Sequence, residues 1–206
     1  MKYRHVILDR DGVLNVEPPD RGYVLRPADF RWLPGALTSL AALRHAGIRL
    51  SVATNQSGVG RGLMTRAQLE AVHDRMVAEA AAAGGAIDEV LVCPHAPDAD
   101  CPCRKPRPGL IQTAIARSGI PACETLGVGD DERDLLALQS AGVAAALVRT
   151  GKGRQTESRI TGRSPAMGVQ PEGPTGMAIA VYDDLETLTR AIMTSGIPMK
   201  PNRVEG

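Results

Sequence analysis

Val6-Ile7-Leu8-Asp9-Arg10-Asp11-Gly12-Val13-Leu14-Asn15 is the stretch on which the fold turns. The short apolar run at its start suits a buried strand. It ends in two carboxylates one residue apart, followed by glycine. Acids at the end of a buried strand sit where backbone groups open towards solvent. There they can hold a hard divalent cation such as Mg²⁺, which takes oxygen ligands. A carboxylate beside such an ion can act as a nucleophile and form an acyl-phosphate. The same residues also suit a strand followed by an Asx-type turn, where Asp and Gly are common for conformational reasons alone.

Downstream, strand and helix patterns alternate. Pro34-Gly35 opens a helix to about His45, with Leu37, Leu40 and Leu43 on one side and Gly47 as its stop. Residues 48–53 read as a second strand. Thr65-Arg66-Ala67-Gln68 has capping-box spacing and starts a long alanine-rich helix that ends at Gly84-Gly85. Residues 87–92 form a third strand pattern, and Pro108 suits the first turn of a helix to Arg117. A strand over 126–128, a helix over 132–141 and a strand over 144–148 follow. This order predicts an α/β fold of three layers, with a central parallel sheet covered by helices on both faces. Ligands of such sheets bind beyond the carboxyl ends of the strands.

From 151 to 176 the pattern stops, and Gly, Pro, Ser, Thr and Arg dominate. That composition predicts a long flexible loop. Residues 179–182 look like an edge strand. Residues 184–193 look like a closing helix with Leu185, Leu188 and Ile192 facing inward. With neither an internal repeat nor a separate large cap domain in view, a single domain over 1–206 is expected.

Composition narrows the function. Lys and Arg number 24 against 23 Asp and Glu, so nothing global favours nucleic acid or an acidic membrane surface. Aromatic residues make up 2% of the chain, which counts against a stacking platform for bases. No apolar run approaches the ~20 residues of a membrane span, and no secretory signal precedes the first strand. A cytoplasmic monomer acting on a small phosphorylated metabolite is the expectation. In that compartment the four cysteines suit thiols or metal ligands better than disulfides.

Three more strand ends carry polar residues. Thr54-Asn55-Gln56-Ser57-Gly58-Val59-Gly60-Arg61-Gly62 offers hydroxyls, amides and close backbone approach, which suit a phosphate and equally an ordinary polar loop. In Cys103-Arg104-Lys105-Pro106-Arg107-Pro108-Gly109, Lys105 can neutralise a transferring phosphoryl group and Arg104 can fork onto a second anion. A solvated basic turn is the plainer reading. In Gly127-Val128-Gly129-Asp130-Asp131-Glu132-Arg133-Asp134, Asp130 is placed to join Asp9 around a cation, with Asp134 in support one helical turn on. A helix N-terminus also favours acids through its dipole, which by itself accounts for Asp131 and Glu132.

Taken together and in this order, the motifs resemble those of the haloacid dehalogenase (HAD) superfamily of phosphohydrolases. The match lies in Asp9-Arg10-Asp11-Gly12, Thr54-Asn55, Lys105, and Gly129-Asp130 with Asp134, and covers roughly residues 5–150. The resemblance implies a Rossmann-like HAD fold. It makes Asp9 the nucleophile, and Asp11 the general acid and then the base. Thr54 and Lys105 would hold phosphoryl oxygens. Mg²⁺ would sit on Asp9, the backbone carbonyl of Asp11, and Asp130.

Cys93-Pro94-His95 and Cys101-Pro102-Cys103 give a Cys₃His set suited to a closed tetrahedral zinc, with 93–103 as its loop. Two cysteines so close together form no unstrained disulfide. Cys123 stands apart and is expected to be a core thiol. Zinc at this point resembles two branches of the superfamily, one acting on a heptose bisphosphate and one on histidinol phosphate. Gly22-Tyr23-Val24, Thr54-Asn55-Gln56-Ser57-Gly58, Arg61-Gly62 and Arg104-Lys105-Pro106 lean to the first. Glu17-Pro18-Pro19 with Asp20, and the short zinc loop, lean to the second. A bisphosphate wants extra cations, for which Arg61, Arg104 and Arg107 stand ready. Histidinol's amine wants carboxylates, for which Glu17 and Asp20 serve. The heptose reading is preferred, with Glu17, Tyr23, Asn55, Gln56, Ser57, Arg61 and Arg104 as substrate contacts. Asp131, an acid beside the metal aspartate, is expected to repel a phosphate.

Overall fold

The computed structural model describes residues 2–18, 22–162 and 178–195. Strands β1 (His5–Leu8), β2 (Arg49–Asn55), β3 (Glu89–Cys93), β4 (Thr125–Gly129), β5 (Ala144–Val148) and β6 (Ala180–Tyr182) form one sheet in the order β3-β2-β1-β4-β5-β6. Every pairing is parallel. β1 lies between β2 and β4, with His5 opposite both Arg49 and Thr125. The chain therefore reverses its direction of winding beside β1, where open α/β sheets form a crevice. Asp9, Asn55 and Asp130 all fall at this one edge.

Helices α1 (Ala36–His45), α2 (Arg66–Ala82), α3 (Gly109–Ser118), α4 (Glu132–Ser140), α5 (Gly153–Thr161) and α6 (Leu185–Ser195) cover the two faces. Successive strand residues point to opposite faces. Val6 and Leu8 accordingly join one core with Leu40, Val72, Met76 and Leu188, from α1, α2 and α6. Ile7 joins the other, with Leu110, Leu135 and Ile160 from α3, α4 and α5. The strand pattern is a continuous apolar run because both faces are covered. The capping box at Thr65 is formed, with the Thr65 side chain accepting from the Gln68 N–H. Leu185, Leu188 and Ile192 of α6 are buried, and β6 is an edge strand, both as the sequence predicts.

Two expectations are corrected. The reading of 151–176 as a flexible loop fails over its first part, where α5 is a regular helix. Its buried stripe is Gly153, Thr156 and Ile160, a helical spacing with one aliphatic residue in it, so hydropathy gives no period. The rest of that stretch, 163–177, lies outside the described residues, as does Asp20. Cys123 is exposed, not a core thiol. It sits in a short 3₁₀ turn, Ala122–Glu124, which contains no buried residue.

His5 supplies a test of the core. It is fully buried, with Nε2 2.9 Å from Ser51 Oγ. Burial, and then the Arg49 charge, lower its pKa to about 4. The folded chain leaves His5 neutral where the unfolded chain takes a proton, so stability is lost as pH falls from about 6.5 to 4. A shift of this size is worth about 3 kcal/mol. His5→Gln is expected to flatten the dependence of Tm on pH across that window. An unchanged slope would contradict the assignment.

Candidate active site

β1 delivers Asp9 to the crevice, and the Asp9 N–H is bonded to Val128 O of β4 at 2.9 Å. Lys105 reaches it from the segment before α3, where Lys105 Nζ donates to Asp9 Oδ1 at 2.8 Å and to Ala53 O at 2.8 Å. The same ammonium lies 2.5 Å from Asp134 Oδ1. Burial opposes the charge on Lys105, but Asp134 and Asp9 more than offset it and hold the pKa above the usual lysine value. Asn55 clamps the lysine's backbone, donating to Lys105 O at 3.0 Å and accepting from Lys105 N–H at 3.1 Å. The loop is thereby tied to the end of β2.

Asp130 leaves β4 into a narrow slot. A Cβ at Gly12 would stand 2.1 Å from Asp130 Oδ2, and one at Gly151 would stand 2.0 Å from it. Both glycines have positive φ, +84° and +55°, so each position excludes a side chain on two counts. The Lys152 N–H donates to Asp130 Oδ2 at 2.8 Å, and Thr156 Oγ1 donates to Asp130 O at 2.8 Å. Thr150 Oγ1 donates to Gly12 O at 2.6 Å. The segment 150–156 is thus part of the site. The sequence signal was Thr150-Gly151-Lys152-Gly153 after a strand, which the loop reading passed over.

Oxygens of Asp9, Asp130 and Asp134 lie within 4.8 Å of one another. Asp134 is committed to Lys105 and to the Asp131 N–H, which it accepts at 3.1 Å. Asp9 and Asp130 each keep one oxygen without a hydrogen bond among the described residues, so this pair fits a hard cation. Burial, with Asp134 and Asp11 close by, pushes Asp9 up to about 7 against the pull of Lys105. Burial, then Asp9 and Asp134, push Asp130 up to about 8. Carboxylates crowded together in this way favour a proton or a cation between them.

Asp11 differs. Burial works against its ionisation, but Arg10 and hydrogen bonds from Asn15 and Gln56 hold it below the usual carboxylate range. Arg10 Nη2 lies 2.9 and 3.0 Å from the two Asp11 oxygens. Asn15 Nδ2 donates to Oδ1 at 3.0 Å, and Gln56 Nε2 donates to Oδ2 at 2.7 Å. Arg10 is itself fully buried, with Nη1 2.9 Å from His73 Nε2 on α2. Burial and Arg10 keep His73 neutral, with its pKa down at about 3. Nothing in the residue spacing points to the Arg10–His73 contact, which spans 63 residues.

These groups open into a cavity of about 370 Å³. Glu17, Tyr23, Thr54, Asn55, Ser57, Arg61 and Arg104 line it. Tyr23 OH and Ser57 Oγ are 2.8 Å apart. Gln56 does not line it: the side chain is buried, with Nε2 donating to Asp11 and to Thr54 Oγ1 at 2.8 Å. Arg107 does not either, since it pairs with Asp100 and donates to Cys101 O. Asp131 is not a bare acid. It caps α4 and is forked by Arg133 at 3.0 and 2.8 Å, and although burial opposes ionisation its pKa lies at about 2. Arg133 and Lys152, given no role in the sequence reading, join the lining.

Arg104 Nη1 is buried without a partner, and among the described residues neither Arg104 nor Arg61 has an ion pair. Two cations therefore remain for an anion that enters from outside.

Next to the cavity lie four soft donors. Cys93 Sγ is 3.6 Å from His95 Nδ1 and 3.6 Å from Cys101 Sγ, and Cys103 Sγ is 3.3 Å from His95 Nδ1 and 3.5 Å from Cys101 Sγ. A zinc tetrahedron with ~2.3 Å metal–sulfur bonds has edges of about 3.7 Å, so the set fits. Gly60 docks here, its N–H on Pro94 O at 2.8 Å. A Cβ on Gly60 would lie 2.4 Å from Ala96 N.

Fold and site together define a phosphohydrolase of the HAD class. A family model described as HAD-hydrolase-like matches residues 102–170. The D-glycero-beta-D-manno-heptose-1,7-bisphosphate 7-phosphatase of Bordetella bronchiseptica is 42% identical over 168 residues, 82% of this chain and 88% of that protein. The enzyme of that name from Neisseria meningitidis serogroup A is 44% identical over 156 residues, 75% of this chain and 81% of its own. The crystal structure of the B. bronchiseptica D,D-heptose 1,7-bisphosphate phosphatase, complexed with magnesium and phosphate, superposes with a TM-score of 0.81 at 38% identity. It covers 92% of this chain and 98% of that one. The chain belongs to this family of HAD phosphatases. Among the described residues no helix is long and apolar enough to cross a membrane.

Proposed function

We propose that the protein removes the 7-phosphate of D-glycero-β-D-manno-heptose 1,7-bisphosphate, as a cytoplasmic monomer, with Asp9 as nucleophile. The observation that carries this is a nucleophile-and-cation pair, Asp9 and Lys105, at the floor of a cavity whose walls hold Arg61 and Arg104, neither of which has an ion pair among the described residues. Two anionic groups are thereby accommodated, one at the reacting end and one remote from it. The names of the relatives supply the sugar and its anomer.

Asp9 attacks phosphorus and becomes aspartyl-phosphate. Lys105 and Thr54 hold the phosphoryl oxygens, with Lys105 aimed by Asp134 and Ala53 O. Mg²⁺ on Asp9, Asp11 O and Asp130 would screen the negative charges that meet in this step. Asp11 gives a proton to the leaving alkoxide and then takes one from water. Its anchoring by Arg10, Asn15 and Gln56 suits the base half of the cycle. Entry of a dianionic ester favours proton uptake for the acid half. Zinc on Cys93, His95, Cys101 and Cys103 would order the loop that ends in Arg104-Lys105. Tyr23, Ser57 and Asn55 are proposed to meet the sugar hydroxyls.

The test is phosphate release in Mg²⁺ from both anomers of the heptose bisphosphate, histidinol phosphate, fructose 1,6-bisphosphate and a 3′-phosphorylated oligonucleotide. A kcat/KM lead for the β anomer is expected. A lead for histidinol phosphate would overturn the substrate.

A further inference from the structure

Glu17 and Lys152 meet at the cavity, with Oε1 and Nζ 2.8 Å apart. Both residues line the cavity, and their side chains are 27% and 42% exposed. The contact joins the segment after β1 to the first residue before α5, across 135 positions of sequence. Burial disfavours the Lys152 charge, yet the Glu17 hydrogen bond and carboxylate, with Asp131 and Asp130 behind them, raise its pKa above the usual value.

Four of the other cavity acids have side-chain cations of their own, and Asp130 accepts the Lys152 N–H. Asp9 and Asp134 share Lys105, Asp131 has Arg133, and Asp11 has Arg10. Among the described residues, Lys152 is the cation that pairs with Glu17. Take that ammonium away and Glu17 becomes a bare carboxylate on the wall that faces an incoming alcohol, an attractive site for a cationic group. Keep it, and the pair presents hydrogen-bond donors and acceptors with no net charge, which suits hydroxyls.

We infer that Lys152 is a specificity-determining residue: by pairing with Glu17 it turns the cavity wall from an amine-binding surface into a polyol-binding one, and so disfavours phosphate esters of amino alcohols against those of sugars. The inference rests on the phosphatase reading. The backbone of Lys152 has a separate task, its N–H on Asp130 Oδ2, and a side-chain substitution leaves that bond in place.

The experiment is kcat/KM in Mg²⁺ for heptose bisphosphate and histidinol phosphate, with p-nitrophenyl phosphate as a general probe. The proteins are wild type, Lys152→Met, Lys152→Arg, Glu17→Gln and the Glu17→Gln/Lys152→Met double variant. Lys152→Met is expected to move the sugar-to-amine preference by roughly tenfold towards the amine, about the effect of one half-exposed charge. Lys152→Arg should keep the wild-type preference, and the double variant should lose the gain, since no carboxylate remains to attract the amine. An unmoved preference in Lys152→Met, or an equal shift in the double variant, overturns the inference and leaves the phosphatase reading intact. A wild-type protein that releases phosphate from none of the three esters overturns both.

Discussion

Asp9→Asn is expected to lower kcat by at least about 10⁴-fold, the scale of losing a nucleophile outright. Asparagine has nearly the same shape and hydrogen-bonding reach, but no anionic oxygen to attack phosphorus. The fold should survive. Asp9 sits among acids, and Asp134 and Asp11 both push its pKa up, so removing its charge relieves repulsion. Lys105 loses one partner and keeps Asp134 at 2.5 Å, so no buried ammonium is left unpaired. Circular dichroism and Tm should therefore change little while phosphate release vanishes. A variant with wild-type turnover would remove Asp9 from the mechanism, and a variant that unfolds would show that Asp9 is structural.

Zinc removal is the second large effect. Structural zinc in small motifs contributes on the order of 10 kcal/mol of apparent folding energy at neutral pH. Here a sheet folds beside the loop, so only part of that is at stake. Half of it would lower Tm by ~10 °C or more in a chain of this size. The loss of activity should be disproportionate. Cys103 directly precedes Arg104-Lys105, and Gly60, next to Arg61, is docked on Pro94. Releasing the loop therefore frees the lysine that holds Asp9, together with Arg61 and Arg104. Treatment with a strong chelator, followed by zinc added back, should take activity down and return it. Elemental analysis showing no zinc, or a chelated protein of unchanged Tm and turnover, would defeat this role.

The sheet was readable because both of its faces are covered. Runs such as Val6-Ile7-Leu8 and the strand at Ala144–Val148 carry their burial in hydropathy alone. The long helix at Arg66–Ala82 was readable through the Thr65 capping box. α5 was not, because Gly153 and Thr156 bury a helix face without being apolar. The site shows the same division. Asp9, Asp11, Thr54, Lys105 and Asp130 follow strand ends or a proline-marked turn, so order along the chain predicts their meeting. Arg10–His73 and Glu17–Lys152 depend on how distant segments dock, which spacing does not encode. Gln56 was assigned to substrate because amides at strand ends reach ligands. Its actual work is to hold Asp11, one layer behind the cavity. Asp131, read as a repelling acid, is a helix cap whose charge Arg133 neutralises.

The slot around Asp130 has a consequence in entropy. An exposed aspartate gives up rotamer freedom at the moment it takes a ligand, and that ordering weakens binding. Asp130 has no such freedom left to lose: Gly12 and Gly151 confine its carboxylate, Lys152 N–H fixes one oxygen, and Thr156 fixes the carbonyl behind it. The cost of ordering is therefore borne by folding and not by cation capture. A side chain frozen in advance leaves the ion's affinity to charge and dehydration.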